Sequence, residues 1–220
     1  MSILKPVEEA LKSFIFKHTK LGAPRYPYNV EPIQLATIIM ELERLKNVEG
    51  NIAEIGLARG MTSRFICEHI KDLKLSKDFT YFAIDTFESF TEEDLKYEVE
   101  NRGKSLFELK GFDYNDFNVW QSNFAKFPFV KVVKGDCALL DYSKLAPLKL
   151  TFLDVDLYLP TKNALPRIYS ATLKGGIILV DDVCPDVKYD GAYQAYIEFC
   201  KEHSIEVNVI GNKCGVIYKP

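Results

Sequence analysis

The segment Glu54-Ile-Gly56-Leu-Ala-Arg-Gly60 joins a short apolar run, Asn51–Leu57, to an amphipathic stretch, Thr62–Leu73. Glycine at such a junction lets the backbone adopt positive φ angles and come close to a ligand. The spacing is E-x-G-x-x-x-G, so the G-x-G-x-x-G pattern of dinucleotide-binding turns is absent. We therefore predict a ligand-binding turn between a strand and a helix. The turn is not expected to bind a pyrophosphate, and its Glu54 can accept a hydrogen bond from an ammonium group of the ligand.

Apolar runs and amphipathic segments alternate along the rest of the chain. The runs predicted to form strands are Asn51–Leu57, Phe79–Phe87, Phe129–Gly135, Leu150–Leu157 and Gly176–Val183. Their nearly continuous apolar character indicates burial on both faces, as in a parallel sheet. Helical spacing over Thr62–Leu73 and Thr161–Leu173 completes the βαβ pattern of an open, doubly wound α/β sheet. Near the C-terminus, the turn signal Gly211-Asn212 between Glu206–Ile210 and Gly215–Tyr218 predicts an antiparallel hairpin.

The length of 220 residues suits one domain with a full hydrophobic core. We predict a single domain over residues 1–220, with an N-terminal helical segment at 1–50 in which Pro32 opens a helix. About forty residues separate the second and third predicted strands, more than a βα connection needs. Within them, residues 88–120 are charged with interleaved aromatic side chains, which predicts a lid over the substrate. The alternative is an extra helical layer that only packs.

The composition restricts the partners and the compartment. The net charge is −3 and no Lys/Arg cluster is long enough to follow a phosphate backbone, so nucleic acid is not an expected partner. No apolar run is long enough to cross a bilayer and the N-terminus lacks the pattern of a signal peptide, so no membrane association is expected. The five cysteines form no C-x-x-C pair, which favours free thiols in a cytoplasmic protein. The sequence leaves a homo-oligomer open.

Single carboxylates follow the second and third predicted strands. Asp85 lies at the end of the second strand, where an acid binds the vicinal hydroxyls of a ribose. Asp136 follows the third strand and can accept a hydrogen bond from an adenine amino group. The alternatives are a solvated turn or helix cap for Asp85 and an ordinary Gly-Asp turn for Asp136. The predicted cofactor-binding residues are Glu54, Gly56, Gly60, Asp85 and Asp136.

Four further carboxylates follow two apolar strands, in Phe152-Leu-Asp154-Val-Asp156-Leu-Tyr158 and in Ile178-Leu-Val-Asp181-Asp182-Val. These strands are expected to be neighbours, about 4.8 Å apart, and open α/β sheets bind ligands beyond the carboxyl ends of their strands. Converging carboxylates repel one another, and a hard divalent cation such as Mg²⁺ offsets that repulsion. The alternative is that the four acids are separate, solvated caps.

Taken together, the motifs resemble the macrocin O-methyltransferase family of metal-dependent class I S-adenosylmethionine methyltransferases, which act on sugar hydroxyls. The matching segments are Glu54–Gly60, Ile84-Asp85-Thr-Phe87-Glu, Leu153–Tyr158, Lys174-Gly-Gly176 and Asp181-Asp182. The resemblance implies a Rossmann-like class I methyltransferase fold. That fold has a mostly parallel seven-stranded sheet, an antiparallel C-terminal hairpin and helices on both faces.

The resemblance also implies roles for the four carboxylates. Asp154, Asp181 and Asp182 are similar to the family's magnesium ligands, and Asp156 is similar to the base that takes the substrate proton. Because Asp156 lies two residues beyond Asp154, both side chains would face the same side of a continuous strand. At a strand end, Asp156 could miss the metal and still reach the bound hydroxyl. The alternatives for Asp156 are a residue that orients its neighbours or a cap for the helix near Thr161.

The implied activity is the transfer of a methyl group from S-adenosylmethionine, with magnesium or another divalent cation, to a hydroxyl of a small molecule. The resemblance points to a sugar or a glycosylated metabolite as that acceptor. Two positions depart from the family pattern. Met61 replaces a frequent second glycine after the first turn, and Val155 replaces the glycine of the family's D-G-D. Neither departure removes a functional side chain.

Two other functions would explain part of the sequence. A glycosyltransferase also uses an Asp-x-Asp motif to hold a metal and a sugar nucleotide, but it leaves the turn Glu54–Gly60 and the pair Asp181-Asp182 unexplained. The chain could also be a non-catalytic S-adenosylmethionine-binding subunit. The presence of all four strand-end carboxylates argues against such a degenerate site.

Overall fold

A seven-stranded sheet forms the centre of the protein in the computed structural model, which describes residues 4–73 and 79–220. The strands are β1 (Asn51–Ile55), β2 (Tyr81–Asp85), β3 (Val130–Lys134), β4 (Leu148–Leu153), β5 (Thr172–Val180), β6 (Val209–Ile210) and β7 (Cys214–Tyr218). Their spatial order is β3-β2-β1-β4-β5-β7-β6. The first five strands run parallel, whereas β7 runs antiparallel to both β5 and β6. The predicted mostly parallel sheet with an antiparallel C-terminal hairpin is therefore confirmed.

Helices cover both faces of the sheet. They are α1 (Leu4–His18), α2 (Pro32–Arg44), α3 (Met61–Leu73), α4 (Glu92–Arg102), α5 (Leu106–Leu109), α6 (Phe117–Phe124), α7 (Tyr158–Ala171) and α8 (Gly191–Glu202). Because side chains alternate along a strand, Ile52 of β1 packs into a core formed with α2, α3 and α6. Ala53 and Ile55 pack into a second core, formed with α7 and α8. The sheet is buried between these two cores.

The N-terminal helices differ in how they pack. Helix α2 begins at Pro32, as predicted, and its Leu35, Ile38 and Leu42 are buried. By contrast, α1 lies on the exterior and leaves apolar side chains such as Leu11 and Phe14 exposed. Within the described residues, every helix is too short or too polar to cross a bilayer.

The end of β4 differs from the sequence prediction. The strand ends at Leu153 and α7 begins at Tyr158, so the predicted strand Leu150–Leu157 and the predicted helix start at Thr161 are wrong. Asp156 takes a left-handed φ of 62°, which turns the chain between the two elements. A buried glutamate of α4, Glu98, accepts the backbone N–H of Tyr158 at 2.8 Å and so caps the first turn of α7. This long-range contact is the physical reason for the early helix start.

The C-terminal strands also differ from their predicted lengths. Strand β5 begins at Thr172 rather than Gly176, because Thr172 already pairs with Leu148 of β4. The predicted helix Thr161–Leu173 is therefore two residues too long. The hairpin forms at the predicted turn, but only Val209–Ile210 of the expected strand Glu206–Ile210 pairs with β7.

Residues 88–120 form three helices, two of which are anchored. In α4, Glu98 is 1% exposed and receives a hydrogen bond from Arg102, whose guanidinium also pairs with Asp190 at 2.7 Å. In α6, Trp120 and Phe124 belong to the core shared with α2 and α3. The residues between α4 and α6 are more exposed, and Phe107 on α5 is 82% exposed.

Candidate active site

A cavity of about 390 Å³ opens at the carboxyl ends of the parallel strands. It is lined by the turn after β1, by Asp85 after β2, by Asp136 after β3 and by the carboxylates that follow β4 and β5. The strand register places these groups together, because the Asp154 N–H donates to Ile55 at 2.8 Å and the Asp181 N–H donates to Leu153 at 2.9 Å. The position agrees with the general location of ligand sites in open α/β sheets.

The two glycines of the turn have different surroundings. Gly56 has a φ of +86°, and a Cβ atom placed there would lie 1.7 Å from the Asp154 carbonyl oxygen. The absence of a side chain therefore lets the β1 turn lie against the end of β4. Gly60 has a φ of +79° and packs against the rings of Trp120 and Phe124, at 2.8 and 2.7 Å from its ideal Cβ position. Gly56 lines the cavity, whereas Gly60 brings α3 and α6 close together.

Asp85 and Asp136 both line the cavity, and both accept hydrogen bonds from nearby backbone. Asp85 accepts the N–H of Leu57 at 2.8 Å and the N–H of Phe87 at 2.6 Å, one with each carboxylate oxygen. Asp136 accepts the N–H of Ala138 at 2.8 Å. These bonds fix the orientation of both carboxylates and leave lone pairs for a ligand, because each carboxylate oxygen can accept more than one bond.

Glu54 is the buried acid of the turn. Its side chain is 1% exposed and accepts a hydrogen bond from the Tyr81 hydroxyl, and the residue lines the cavity. Burial raises its pKa to about 7, although the hydrogen bond from Tyr81 opposes the shift. Ionising this carboxyl group is therefore costly until a positive charge comes close to it.

Four carboxylates after β4 and β5 form an acid cluster, which comprises Asp154, Asp156, Asp181 and Asp182. Carboxylate oxygens of Asp154, Asp156 and Asp182 lie within 4.8 Å of one another. Asp156 and Asp182 both have left-handed backbone, with φ values of 62° and 57°. Such backbone is uncommon outside glycine and is often found at functional sites. The turn at Asp156, rather than strand alternation, brings its side chain to Asp154.

The acid cluster changes the protonation of its members. Burial, followed by the charges of neighbouring carboxylates, raises the pKa of Asp154, Asp156 and Asp181. Both causes oppose the accumulation of negative charge in one small volume. Bound protons, a cation or both must therefore compensate the negative charge of the acid cluster.

Asp181 is held by two side chains from outside the acid cluster. Gln34 of α2 donates to one carboxylate oxygen at 2.6 Å, and the Lys213 ammonium lies 3.0 Å from the other. The same ammonium lies 2.7 Å from Asp182. Burial lowers the pKa of Lys213, but Asp181 and Asp182 more than offset this effect, so its pKa is raised. One permanent positive charge is thus shared by the two carboxylates that follow β5.

Aromatic side chains complete the cavity. Four of them line it, namely Phe90, Phe112, Tyr114 and Tyr189. The ring centroids of Phe90 and Phe112 are 5.5 Å apart, and those of Phe90 and Tyr189 are 6.1 Å apart. Burial, followed by the charges of Asp156, Asp182 and Asp154, raises the pKa of Tyr189. We call these four residues the aromatic wall.

The sequence prediction missed Lys213 and Tyr189, which line the cavity, and Gln34, which contacts Asp181. The sequence contains a pattern that could have indicated the orientation of Gln34. This residue completes a capping box, in which its amide oxygen accepts the Glu31 N–H at 2.6 Å. That bond points the amide nitrogen towards Asp181. Lys213 follows the predicted hairpin turn, but its direction depends on how that turn packs. No local sequence pattern distinguishes Tyr189 from the other tyrosines of the chain.

The structure was compared with solved structures. CalS11, a calicheamicin methyltransferase, superposes with a TM-score of 0.67 at 13% identity, covering 99% of this chain and 93% of that one. The O-methyltransferase NovP superposes with a TM-score of 0.61 at 20% identity, covering 84% of this chain and 79% of that one. A second CalS11 structure, described as a TDP-rhamnose 3′-O-methyltransferase, gives a TM-score of 0.61 at 14% identity, with coverages of 99% and 95%. These similarities establish the fold.

The sequence was also compared with protein families and with curated proteins. No curated protein matches the chain. The profile of the family described as Macrocin-O-methyltransferase (TylF) matches residues 31–219, which include the whole sheet and every residue of the cavity except Pro27, Asn29 and Val30. The match favours an S-adenosylmethionine-dependent O-methyltransferase over a glycosyltransferase or a non-catalytic subunit. The chain belongs to the macrocin O-methyltransferase family.

Proposed function

We propose that this S-adenosylmethionine-dependent O-methyltransferase uses a divalent cation and methylates a hydroxyl group of a sugar or a glycosylated small molecule. The observation that carries this proposal is that the glycine turn and the acid cluster line one cavity. A cofactor and an acceptor hydroxyl can therefore meet in the same enclosed space. Family membership supports the cofactor, and the acid cluster supports the cation.

We assign cofactor binding to the turn after β1 and to the next two strand ends. Glu54 would accept a hydrogen bond from the methionine ammonium group, and Asp85 would accept bonds from the ribose hydroxyls. Asp136 would accept from the adenine amino group. Gly56 lets the backbone come close to the ligand, and Gly60 contributes indirectly by setting the position of α3.

We assign cation binding to the acid cluster, whose donors suit magnesium because all of them are carboxylate oxygens. Asp154 and Asp182 are the ligands on which the resemblance and the geometry agree. Asp181 is assigned as the third ligand from the resemblance, although the carboxylate oxygens that lie within 4.8 Å of one another belong to Asp154, Asp156 and Asp182. When bound, the cation would lower the pKa of the acceptor hydroxyl and stabilise negative charge on its oxygen.

The remaining chemistry falls to Asp156. When bound, S-adenosylmethionine would supply the methyl group: an oxygen–carbon bond to the acceptor would form as the carbon–sulfur bond breaks, leaving S-adenosylhomocysteine. The hydroxyl proton must go to a base, and a carboxylate oxygen of Asp156 lies within 4.8 Å of oxygens of Asp154 and Asp182. A carboxylate at this position would be within reach of a hydroxyl held by the assigned cation ligands. These features support Asp156 as the group that takes the proton.

The aromatic wall supports a ring-shaped acceptor. The apolar C–H face of a sugar ring packs well on aromatic side chains, while its hydroxyls remain free to face the acid cluster. CalS11 is described as acting on TDP-rhamnose, which agrees with this assignment. Phe112 and Tyr114 lie between the anchored helices α4 and α6. We therefore narrow the proposed lid from residues 88–120 to the segment 103–115.

Calorimetry and a methylation assay test the proposal together. S-adenosylhomocysteine should bind the purified protein, and turnover of nucleotide-sugar acceptors should require Mg²⁺ and stop in excess chelator. A catechol acceptor serves as the comparison, because it offers hydroxyls without a sugar ring. Undiminished turnover in chelator would refute the cation, and faster turnover of the catechol would refute the sugar acceptor. Binding of a nucleotide-sugar or NAD in place of S-adenosylhomocysteine would contradict the assigned cofactor site.

A further inference from the structure

The C-terminal hairpin delivers a lysine into the active-site cavity. Lys213 directly follows the turn Gly211-Asn212 and precedes β7. Two contacts hold the backbone of this turn. The Asn212 N–H donates to Glu31 at 2.9 Å, and the Lys213 carbonyl accepts the N–H of Val183 at 2.7 Å. The ammonium group is therefore attached to a fixed point beside the acid cluster.

The ammonium group of Lys213 contacts two of the assigned cation ligands. It lies 3.0 Å from Asp181 and 2.7 Å from Asp182, and the Lys213 side chain is only 23% exposed. The second oxygen of Asp181 is occupied by Gln34. Each oxygen of Asp181 therefore already has one protein partner, and a metal ion at Asp181 would have to share an oxygen with Lys213 or with Gln34.

We propose that Lys213 is a tethered cation that competes with the divalent cation for Asp181 and Asp182, and thereby sets the cation affinity of the active site. The inference rests on the proposed cation binding. Two positive charges at one carboxylate pair repel each other, and this repulsion is strong where the surroundings are partly buried. Lys213 also compensates part of the cluster charge before a cation binds. It therefore stabilises the cation-free protein and weakens cation binding for the same physical reason.

Lys213→Met is the decisive variant, because it removes the charge and keeps most of the side-chain volume. Lys213→Arg keeps the charge. Lys188→Met is the matched control, since the Lys188 ammonium lies over the ring of Tyr189, 4.4 Å from its centroid, and Tyr189 lines the same cavity. Binding of Mn²⁺ is measured by electron paramagnetic resonance of the free ion, with S-adenosylhomocysteine present, so that activity is not the readout.

The expected result is a dissociation constant for Mn²⁺ that is lower by about tenfold or more in Lys213→Met. Lys213→Arg and Lys188→Met should stay within about threefold of the parent protein. Thermal unfolding gives a second readout. Without metal, Lys213→Met should melt below the parent protein, whereas in saturating Mn²⁺ it should melt at or above it, since a tighter ligand stabilises more. If Lys213 were only structural, Lys213→Met would melt below the parent protein both without metal and in saturating Mn²⁺.

Each opposite result has a defined meaning. An unchanged or weaker Mn²⁺ affinity in Lys213→Met, with binding intact in the parent, overturns the competition and leaves the proposed function standing. An equal gain in Mn²⁺ affinity in Lys188→Met also overturns the competition, because the change in net charge would then explain the effect. Absence of Mn²⁺ binding in all proteins, with S-adenosylhomocysteine still bound, refutes both the competition and the proposed cation.

Discussion

The carboxyl edge of the sheet carries aspartates on both sides of β1, and their surroundings differ. On the β2–β3 side, Asp85 and Asp136 are separate and accept backbone N–H groups at 2.6–2.8 Å. On the β4–β5 side, carboxylates converge within 4.8 Å, and burial and mutual repulsion raise the pKa of Asp154 and Asp156. Under the proposed function, the same residue type at the same edge would serve two kinds of chemistry. Backbone donors would orient an acceptor for a neutral ligand, whereas crowded carboxylates would bind a proton or a cation.

The largest expected effect comes from the crowded side. Asp182→Asn should lower turnover by about 10³-fold, because it removes a cation ligand while leaving the cofactor turn intact. Calorimetry with S-adenosylhomocysteine should show an unchanged affinity. Asp116→Asn is the control, since Asp116 caps α6 and asparagine caps a helix equally well. A parallel loss of cofactor affinity in Asp182→Asn would show that the two sides are not separable.

Gly56 connects the two sides, so Gly56→Ala should damage both. An added Cβ would overlap the Asp154 carbonyl oxygen, at 1.7 Å, and would also sit at a φ of +86°. We expect a loss of at least about 3 kcal/mol in the free energy of unfolding. In Gly103→Ala, the φ of +68° is similar, but the new Cβ meets no heavy atom of the described chain within 4 Å. Its cost should be about 1 kcal/mol, from backbone strain alone.

Urea unfolding of both glycine variants measures this difference. Equal losses of unfolding free energy in Gly56→Ala and Gly103→Ala would mean that the end of β4 moves easily away from the turn after β1. The close contact between the two sides would then be unimportant for stability.

Within the crowded side, Asp156→Asn should separate proton transfer from cation binding. We expect a fall of about 10²-fold in the single-turnover rate, the scale of general-base catalysis, with unchanged affinity for Mn²⁺ and cofactor. Asp186→Asn is the control, because Asp186 is exposed and has a similar left-handed φ of 60°. A rate loss below about threefold would remove Asp156 from the base role. A loss of Mn²⁺ binding would make it a cation ligand instead.

The smallest expected effect concerns Glu54, the buried acid on the cofactor side. Its pKa is raised to about 7, so the free carboxyl is mostly protonated at pH 6 and mostly ionised at pH 8. Because an ammonium ligand favours the ionised form, cofactor affinity should rise by about tenfold from pH 6 to pH 7.5. Binding below pH 7 should release a proton, which calorimetry in two buffers detects.

Glu54→Gln should flatten this pH profile, whereas Glu202→Gln, an exposed acid on α8, should leave it unchanged. An identical pH profile in Glu54→Gln would assign the dependence to another group.

Part of the active site is determined by strand order and strand ends. A strand followed at once by a turn places its next residues at the carboxyl edge, so Gly56, Asp85, Asp136, Asp154 and Asp181 could each be placed in the cavity from the sequence. The apolar runs of β1 and β2 are buried, and these strands were found within two residues of their ends. The ends of β3 were found equally well, but the expected burial on both faces is wrong for this strand, because β3 lies at the edge of the sheet and is only partly buried.

The remaining features depend on contacts between distant parts of the chain. Asp156 meets Asp154 through a left-handed turn, and α7 starts early because Glu98, sixty residues away, caps it. Gly60 looks like a ligand glycine in sequence, but it packs against α6. Neither spacing nor composition specifies which distant side chain reaches a backbone N–H.

The sequence by itself determined the class of fold, the edge of the sheet that binds ligands and the residue types present there. Periodic apolar residues and strand-end acids encode these properties locally. The tertiary structure alone decided how the acids are compensated, because Gln34 and Lys213 reach Asp181 from sequence separations of 147 and 32 residues. Electrostatic energy depends on distances in space, and in a folded chain those distances are set by packing.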